Sequence, residues 1–396
     1  MSDPRQSDKG LSRRRFLATA GGGAAALALG SLKVPEANAA TSPPVRGFND
    51  GWNEVLTGWG TQFGPWAASP TENGSVRYVR QVIDWAEVQK QNGGPFDFTR
   101  YWALRENLRE WNTANPQRPL RILPRCMGCP QWAIPSGYQC PAYWNWCHEG
   151  MDGQFGAFVA ETLKYFDAPG YRLVDAAEVW NEPNTPEFGA VPYSRFAGLV
   201  WNGQYWTGLY YEQGNYSRPM TVLAGGIAMR GPAEKATSGA GGSMNGWSYE
   251  NGNFVRIPMS WQTYMQKFQE SIQWSTFDIG IHPYYFGNSS SEAASKILSL
   301  FDEAKNYTVQ APGVPLRNLW VTETGCSSRS PFGQQGQQDV LSSVNKGLAE
   351  RSRCKAMIVH RMWDDSETGT FAGYGLGRLS TSEKKQAWWA LHAAWA

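Results

Sequence analysis

The chain carries almost no excess of either charge, with 36 Lys and Arg against 34 Asp and Glu over 396 residues. Such a balance argues against a dedicated binder of nucleic acid or another polyanion, and no Lys/Arg run occurs beyond the first 40 residues. Nor is any segment beyond residue 40 apolar enough to span a bilayer, so no stable membrane insertion is expected. No Gly-x-Gly-x-x-Gly follows an early strand, which removes the usual sign of a dinucleotide site, and no cofactor is called for. Internal repeats and low-complexity tracts are absent as well.

Aromatic residues are what the chain has in abundance: 20 Trp, 17 Tyr and 17 Phe. An indole is costly to bury completely because its N–H needs a partner. Many Trp in a weakly charged chain suggest a wet groove with flat apolar platforms, which suit the C–H face of a sugar ring. Each single Trp is also explained by ordinary packing.

The first 39 residues read as an export label. Ser12-Arg13-Arg14-Arg15-Phe16-Leu17 is a twin-arginine pattern, a mild Ala/Gly/Leu run follows, and Ala37-Asn38-Ala39 offers a small-x-small cleavage site. This predicts the Tat translocon as a transient partner, a secreted or extracytoplasmic location, and residues 40–396 as one catalytic domain, expected to be a monomer. An uncleaved anchor is the alternative, although the run is Gly-rich and short for a bilayer. Six cysteines, Cys126, Cys129, Cys140, Cys147, Cys326 and Cys354, favour disulfides in an exported protein. The Cys126-x-x-Cys129 spacing with His148 nearby leaves zinc open.

Strand-like and helix-like segments alternate along residues 40–396. Strands are expected at 46–49, 76–83, 120–124, 174–179, 221–225, 277–281, 318–321 and 355–360. Helical spacing marks 98–111, 155–166, 193–211, 261–274, 292–306, 338–351 and 383–395. Between the first two strands no helix is evident, and the Gly-rich stretch 226–258 reads as a long loop. Eight such units imply an α/β fold, a closed (β/α)8 TIM barrel with long loops on its C-terminal face; an open doubly wound sheet is the alternative.

Chemistry in a barrel gathers at the C-terminal strand ends. The fourth strand runs out in AEVWNEPN (177–184), where Pro183 cannot join a sheet ladder and stiffens the loop that carries Glu182. The seventh runs out in LWVTETG (319–325) and offers Glu323. Strands four and seven face each other across the mouth, so their terminal carboxylates can converge. A facing pair, one protonated and one ionised, is what glycosidic cleavage needs. From the residues alone His282 is as readily a bonded core histidine as a sugar contact, and Arg80 a structural ion-pair partner.

In order along the chain, VRYVRQVIDWAEVQKQNGGPFDF, PQWAIP, WNEPN, TETG and GYGLGRLSTSEKKQAWWAL resemble clan A of the glycoside hydrolases, in particular family 39-type and cellulase-like members. The resemblance spans nearly all of residues 40–396. It implies a retaining hydrolase of an extracellular poly- or oligosaccharide, with Glu182 as acid/base and Glu323 as nucleophile. It further implies that Asn181 bonds the sugar 2-hydroxyl and that Tyr284 holds Glu323. Arg80 would keep Glu323 ionised, His282 and Trp132 would line the subsites, and Trp363 would floor the cleaved sugar's site. Cys326 stands where such proteins often carry an aromatic residue, and is a candidate for a bridge to Cys354. A non-catalytic carbohydrate-binding barrel, a transglycosylase sharing every site residue, and a zinc enzyme built on the Cys cluster are the competing functions.

Overall fold

The computed structural model describes residues 44–395 apart from 50–75, 118, 135–146, 148–149, 186–187, 190, 230–244, 251–252, 259, 286, 288, 310–315, 362, 365–372 and 379–382. The export segment 1–39, the stretch after the first strand and Cys140 therefore lie outside the described residues.

Eight strands form the frame: β1 (Val45–Asn49), β2 (Val76–Asp84), β3 (Arg121–Met127), β4 (Ala176–Val179), β5 (Thr221–Met229), β6 (Asp278–Pro283), β7 (Leu319–Thr324) and β8 (Cys354–Val359). They close into a barrel in the order β1-β8-β7-β6-β5-β4-β3-β2, and every pair is parallel. A helix follows each strand from β2 onward: α1 (Trp102–Ala114), α2 (Asp152–Phe166), α3 (Tyr193–Glu212), α4 (Trp261–Ser271), α5 (Ser290–Asn306), α6 (Gly333–Ala349) and α7 (Gln386–Trp395). This is the (β/α)8 barrel that the alternation predicts.

The helices form where apolar residues recur at helical spacing. In α2, Phe155, Phe158, Val159, Thr162, Leu163 and Phe166 recur at helical spacing and are all buried. Trp85, one residue past β2, packs against Phe155 and Phe158 in the layer between strands and helices. Helix α4 begins at Ser260, whose side chain accepts from Thr263 N and satisfies one of the free N–H groups of the first turn.

Part of the long loop expected at 226–258 is ordered differently. β5 continues to Met229, and Asn245–Glu250 pairs antiparallel with Asn253–Pro258. The sequence between those two strands is Asn251-Gly252, the strongest short-range hairpin signal, and it was outweighed by the surrounding glycines.

The barrel interior is layered. Near its N-terminal end lie Tyr78, Leu123, Ala176, Leu223, Trp320 and Ile358. Two residues further along β2 and β4, Arg80 and Glu178 replace apolar side chains with a buried ion pair of 2.6 Å. Gly280 makes this possible, since a Cβ there would stand 2.7 Å from Glu178 Oε1.

Among the described residues the expected disulfides are not formed. Cys126, Cys129, Cys147, Cys326 and Cys354 are all buried free thiols. Cys354 pairs with Leu319 at the start of β7, whereas Cys326 lies past the end of that strand, so a Cys326–Cys354 bridge would have to run the length of the barrel. Disulfide Cα atoms lie about 4.4–6.8 Å apart, while each strand residue advances about 3.3 Å. Cys129 and Cys147 do meet thiol to thiol, and burial holds the Cys129 thiol well above its usual range.

Candidate active site

Three local departures from regular strand geometry build the site. At the end of β4, Trp180 and Glu182 take left-handed backbone, with φ of 70° and 38°. Each such non-glycine residue costs on the order of 1–3 kcal/mol and persists only where its surroundings fix it. Trp180 is held by its indole N–H to Phe188 O at 2.8 Å, and Glu182 by its N–H to Gly226 O at 2.9 Å. The reversal aims the Glu182 side chain over the barrel mouth.

On β7 the pairing with β8 slips between Met357↔Val321 and Val359↔Thr324. A bulge re-aims a side chain. Both Thr322 and Glu323 thus reach the interior: Thr322 Oγ1 donates to Glu178 at 2.7 Å, and Glu323 joins the network described below. On β5 a second slip, between Ala224 and Ile227, coincides with Gly225-Gly226. A Cβ on Gly226 would stand 1.9 Å from His282 Nε2, so the glycine makes room for the imidazole.

Glu323 is gripped from four directions. Its Oε2 accepts from Asn49 Nδ2 at 3.1 Å and from Arg80 Nη1 at 3.0 Å. Its Oε1 accepts from the Tyr284 hydroxyl at 2.9 Å and faces His360 Nδ1 at 2.9 Å. Arg361 Nε donates to His360 Nε2 at 3.2 Å, which leaves Nδ1 as the protonated ring nitrogen on the Glu323 side. Burial works against the Glu323 charge, but His360, His282 and Arg80 overcome it and hold the carboxyl well below the usual range. Burial and the adjacent carboxylate push the Tyr284 hydroxyl far up, which keeps it a donor.

Glu182 meets a different environment. His282 Nδ1 lies 2.9 Å from Glu182 Oε1, and Arg80 Nη2 lies 3.3 Å from His282 Nε2. A guanidinium only donates, so Nε2 accepts and the imidazole proton on Nδ1 points at Glu182. Asn181 Oδ1 accepts from Arg80 Nη2 at 2.8 Å and Arg125 Nη1 at 2.9 Å, which fixes the amide and turns Nδ2 into the donor for a ligand. Single atoms of Glu182, His282 and Glu323 all lie within 4.8 Å of one another. The same set could ligate a cation, but the Arg80 and Arg125 guanidiniums, 3.0 and 4.0 Å from Glu323 Oε2, oppose a further positive charge there.

Of the sequence-predicted residues, Glu182, Glu323, Arg80, Asn181, His282 and Tyr284 therefore converge. Trp132 sits in the turn Gln131–Ala133, edge-on to Trp85 at 5.2 Å, and its N–H reaches Gln89 O at 3.3 Å. Those described contacts belong to packing rather than to the glutamate pair. Trp363 lies in the two-residue strand Trp363–Asp364 just beyond β8, and its side chain is outside the described residues. Four residues in contact with the site were missed: Asn49, Arg125, Glu178 and His360. Asn49 and His360 end or follow a strand at the C-terminal face, which is the signal that could have found them.

Glutamates from strands four and seven thus converge at the mouth of the barrel, and solved structures of glycoside hydrolases share this fold. The chain superposes on a family 39 glycoside hydrolase from Bacteroides cellulosilyticus with a TM-score of 0.57 at 13% identity, over 89% of this chain and 64% of that one. It matches a family 39 β-xylosidase from Caulobacter crescentus with a TM-score of 0.53 at 15% identity, over 89% of this chain and 71% of that one. SrfJ from Salmonella typhimurium gives 0.54 at 13% identity, over 88% and 74%. No family model and no curated protein matches the sequence.

Proposed function

We propose that the protein is a retaining O-glycoside hydrolase with Glu182 as acid/base and Glu323 as nucleophile. One observation carries this reading: two buried carboxylates from facing strands approach within 4.8 Å in unlike surroundings. Retaining enzymes hold the two carboxyl groups about 5–5.5 Å apart, and inverting ones about 6.5–9.5 Å. That the neighbours of similar fold include a β-xylosidase adds support.

The proposed roles follow from the hydrogen bonds. Glu323 is kept charged by Arg80, Asn49, Tyr284 and His360, and attacks the anomeric carbon. Glu182, whose Oε1 is oriented by His282, presents a proton from its other oxygen to the departing glycosidic oxygen. An ester forms at Glu323 as the glycosidic C–O bond breaks. Glu182, now a carboxylate, takes a proton from water, and the water oxygen displaces Glu323 from the sugar. Asn181 Nδ2 is the donor for the 2-hydroxyl, a bond that strengthens in the transition state.

The test uses azide with activated aryl glycosides. Azide attacks without needing a base. It should restore turnover to Glu182→Ala with retained configuration in the glycosyl azide, and to Glu323→Ala with inverted configuration. The opposite pairing, or no effect of either truncation on turnover, would refute the assignment. We also propose export by the Tat route and cleavage after Ala39, on the strength of Arg13-Arg14 and Ala37-Asn38-Ala39. Joint substitution of Arg13 and Arg14 by Lys should leave the protein inside the cell, and unchanged export would sink that proposal.

A further inference from the structure

The mechanism above uses one cation, whose side chain is 12% exposed, only to fix the Asn181 amide. Arg125 lies on β3 opposite Glu178 of β4 and points into the barrel mouth. Its Nη1 donates to Asn181 Oδ1, an oxygen that also serves Arg80. The carboxylate nearest to it, Glu323, is 4.0 Å away, beyond hydrogen-bond length. Its Nε is buried with no hydrogen-bond partner. Burial and the neighbouring Arg80 push Arg125 down to about 9, because Glu323, Glu178 and Glu182 offset them incompletely. A guanidinium removed from water is ordinarily matched by a carboxylate that takes two of its N–H groups in parallel. Arg80 is matched by two carboxylates, Glu178 at Nε (2.6 Å) and Glu323 at Nη1 (3.0 Å), and Arg125 has no carboxylate within hydrogen-bond length.

Arg125 is also well placed to read a bound sugar. It is bonded to Asn181, the donor for the 2-hydroxyl, and stands 4.0 Å from the nucleophile that must touch the anomeric carbon.

We infer that Arg125 is a specificity-determining residue, and that the sugar bound against Glu323 carries an anionic oxygen group, a uronate carboxylate or a sulfate ester, which pairs with its guanidinium. The inference rests on the glycosidase reading and narrows it to acidic glycans. A neutral hydroxyl would satisfy one N–H but leave the charge unmatched, whereas an oxyanion satisfies both.

Matched polymers test it. Uronic-acid polysaccharides are compared with their carboxyl-reduced forms, and sulfated polysaccharides with their desulfated forms, by release of reducing ends. Each neutral partner keeps the linkage and loses only the charge, and the two arms separate carboxylate from sulfate. In at least one pair the parent protein should cleave the anionic form at least about ten-fold faster, in keeping with a hydrogen bond between charged groups. Arg125→Gln should abolish that preference and Arg125→Lys should restore part of it, with thermal melting confirming that both variants fold. A neutral form cleaved as fast or faster, or a preference that survives Arg125→Gln, would overturn the inference while leaving the glycosidase reading intact. Failure to cleave any polymer in either form, together with no turnover of aryl glycosides, would overturn both.

Discussion

The two ends of the barrel use acids in opposite ways. At the N-terminal end, acids fasten the starts of several strands together. Asp278 at the start of β6 accepts from Asn318 N at 2.9 Å, Asn318 Nδ2 at 3.1 Å and Trp320 Nε1 at 2.9 Å, all at the adjacent β7. Asp175, just before β4, accepts from the Tyr78 hydroxyl of β2 at 2.7 Å and pairs with Arg121 of β3. At the C-terminal end, donors from β1 and β2 and from the end of β6 converge on Glu323, which also faces His360 past β8. Backbone strain does not separate the two ends, because Arg172 and Arg353 before β4 and β8 also have positive φ. What separates them is where the bonds lead. Those at the N-terminal end run between strand starts and hold the fold, and those at the C-terminal end concentrate field at one carboxylate facing another.

That contrast breaks most sharply by substitution of the acids themselves. Glu323→Gln should lower kcat/KM on every glycoside by about 10⁴-fold or more, since it removes the covalent step of the proposed mechanism. Glu182→Ala should cost roughly 10²–10⁴-fold on natural glycans and far less on substrates with a good aryl leaving group. Steady-state kinetics on both substrate types check this, and equal losses would remove the division of roles.

Gly226→Ala tests whether the site depends on backbone space. The added methyl would drive His282 from Glu182, and a misplacement of that size costs about 10²-fold in turnover. Wild-type activity in this variant would show that His282 does not orient the acid.

His360→Gln sharpens the electrostatic side. The folded Glu323 carboxyl is depressed, so its stabilising charge is present above the unfolded value and is lost as pH falls through the folded one. Without His360 the folded value should rise. The acid limb of kcat/KM and the onset of acid destabilisation should then both move to higher pH. An unmoved limb would exclude His360 from tuning the nucleophile.

The smallest effect on activity belongs to the other end. Asp278→Ala should cost about 1–3 kcal/mol of stability by leaving donors unpaired, measured by denaturant unfolding, with kcat unchanged. A fall in kcat without loss of stability would erase the distinction between the ends.

How much of this the sequence disclosed follows the same division. Hydrophobic periodicity acts locally, so the alternating strands and helices were legible, down to the buried stripe of α2. Glu182 and Glu323 were legible because the motifs WNEPN and TETG mark strand ends. His360 was read as the last residue of its strand, and nothing local shows that it will face Glu323 from β8. Arg125 lay hidden next to a cysteine-rich loop, and its meaning depends on Asn181 and Arg80 from other strands. The expected disulfides failed because proximity in sequence, and a pattern of even cysteines, say nothing about which end of a strand each thiol occupies. The Asn251-Gly252 hairpin was visible in principle and was masked by flanking glycines.

The central claim is that Glu182 and Glu323 form a retaining pair. Proton NMR of the products, recorded on the first sugar released from a glycan that the protein cleaves and before mutarotation, tests it most directly. The account predicts that the first-formed hemiacetal has the same anomeric configuration as the bond that was broken; an inverted first product from the unmodified protein would contradict it.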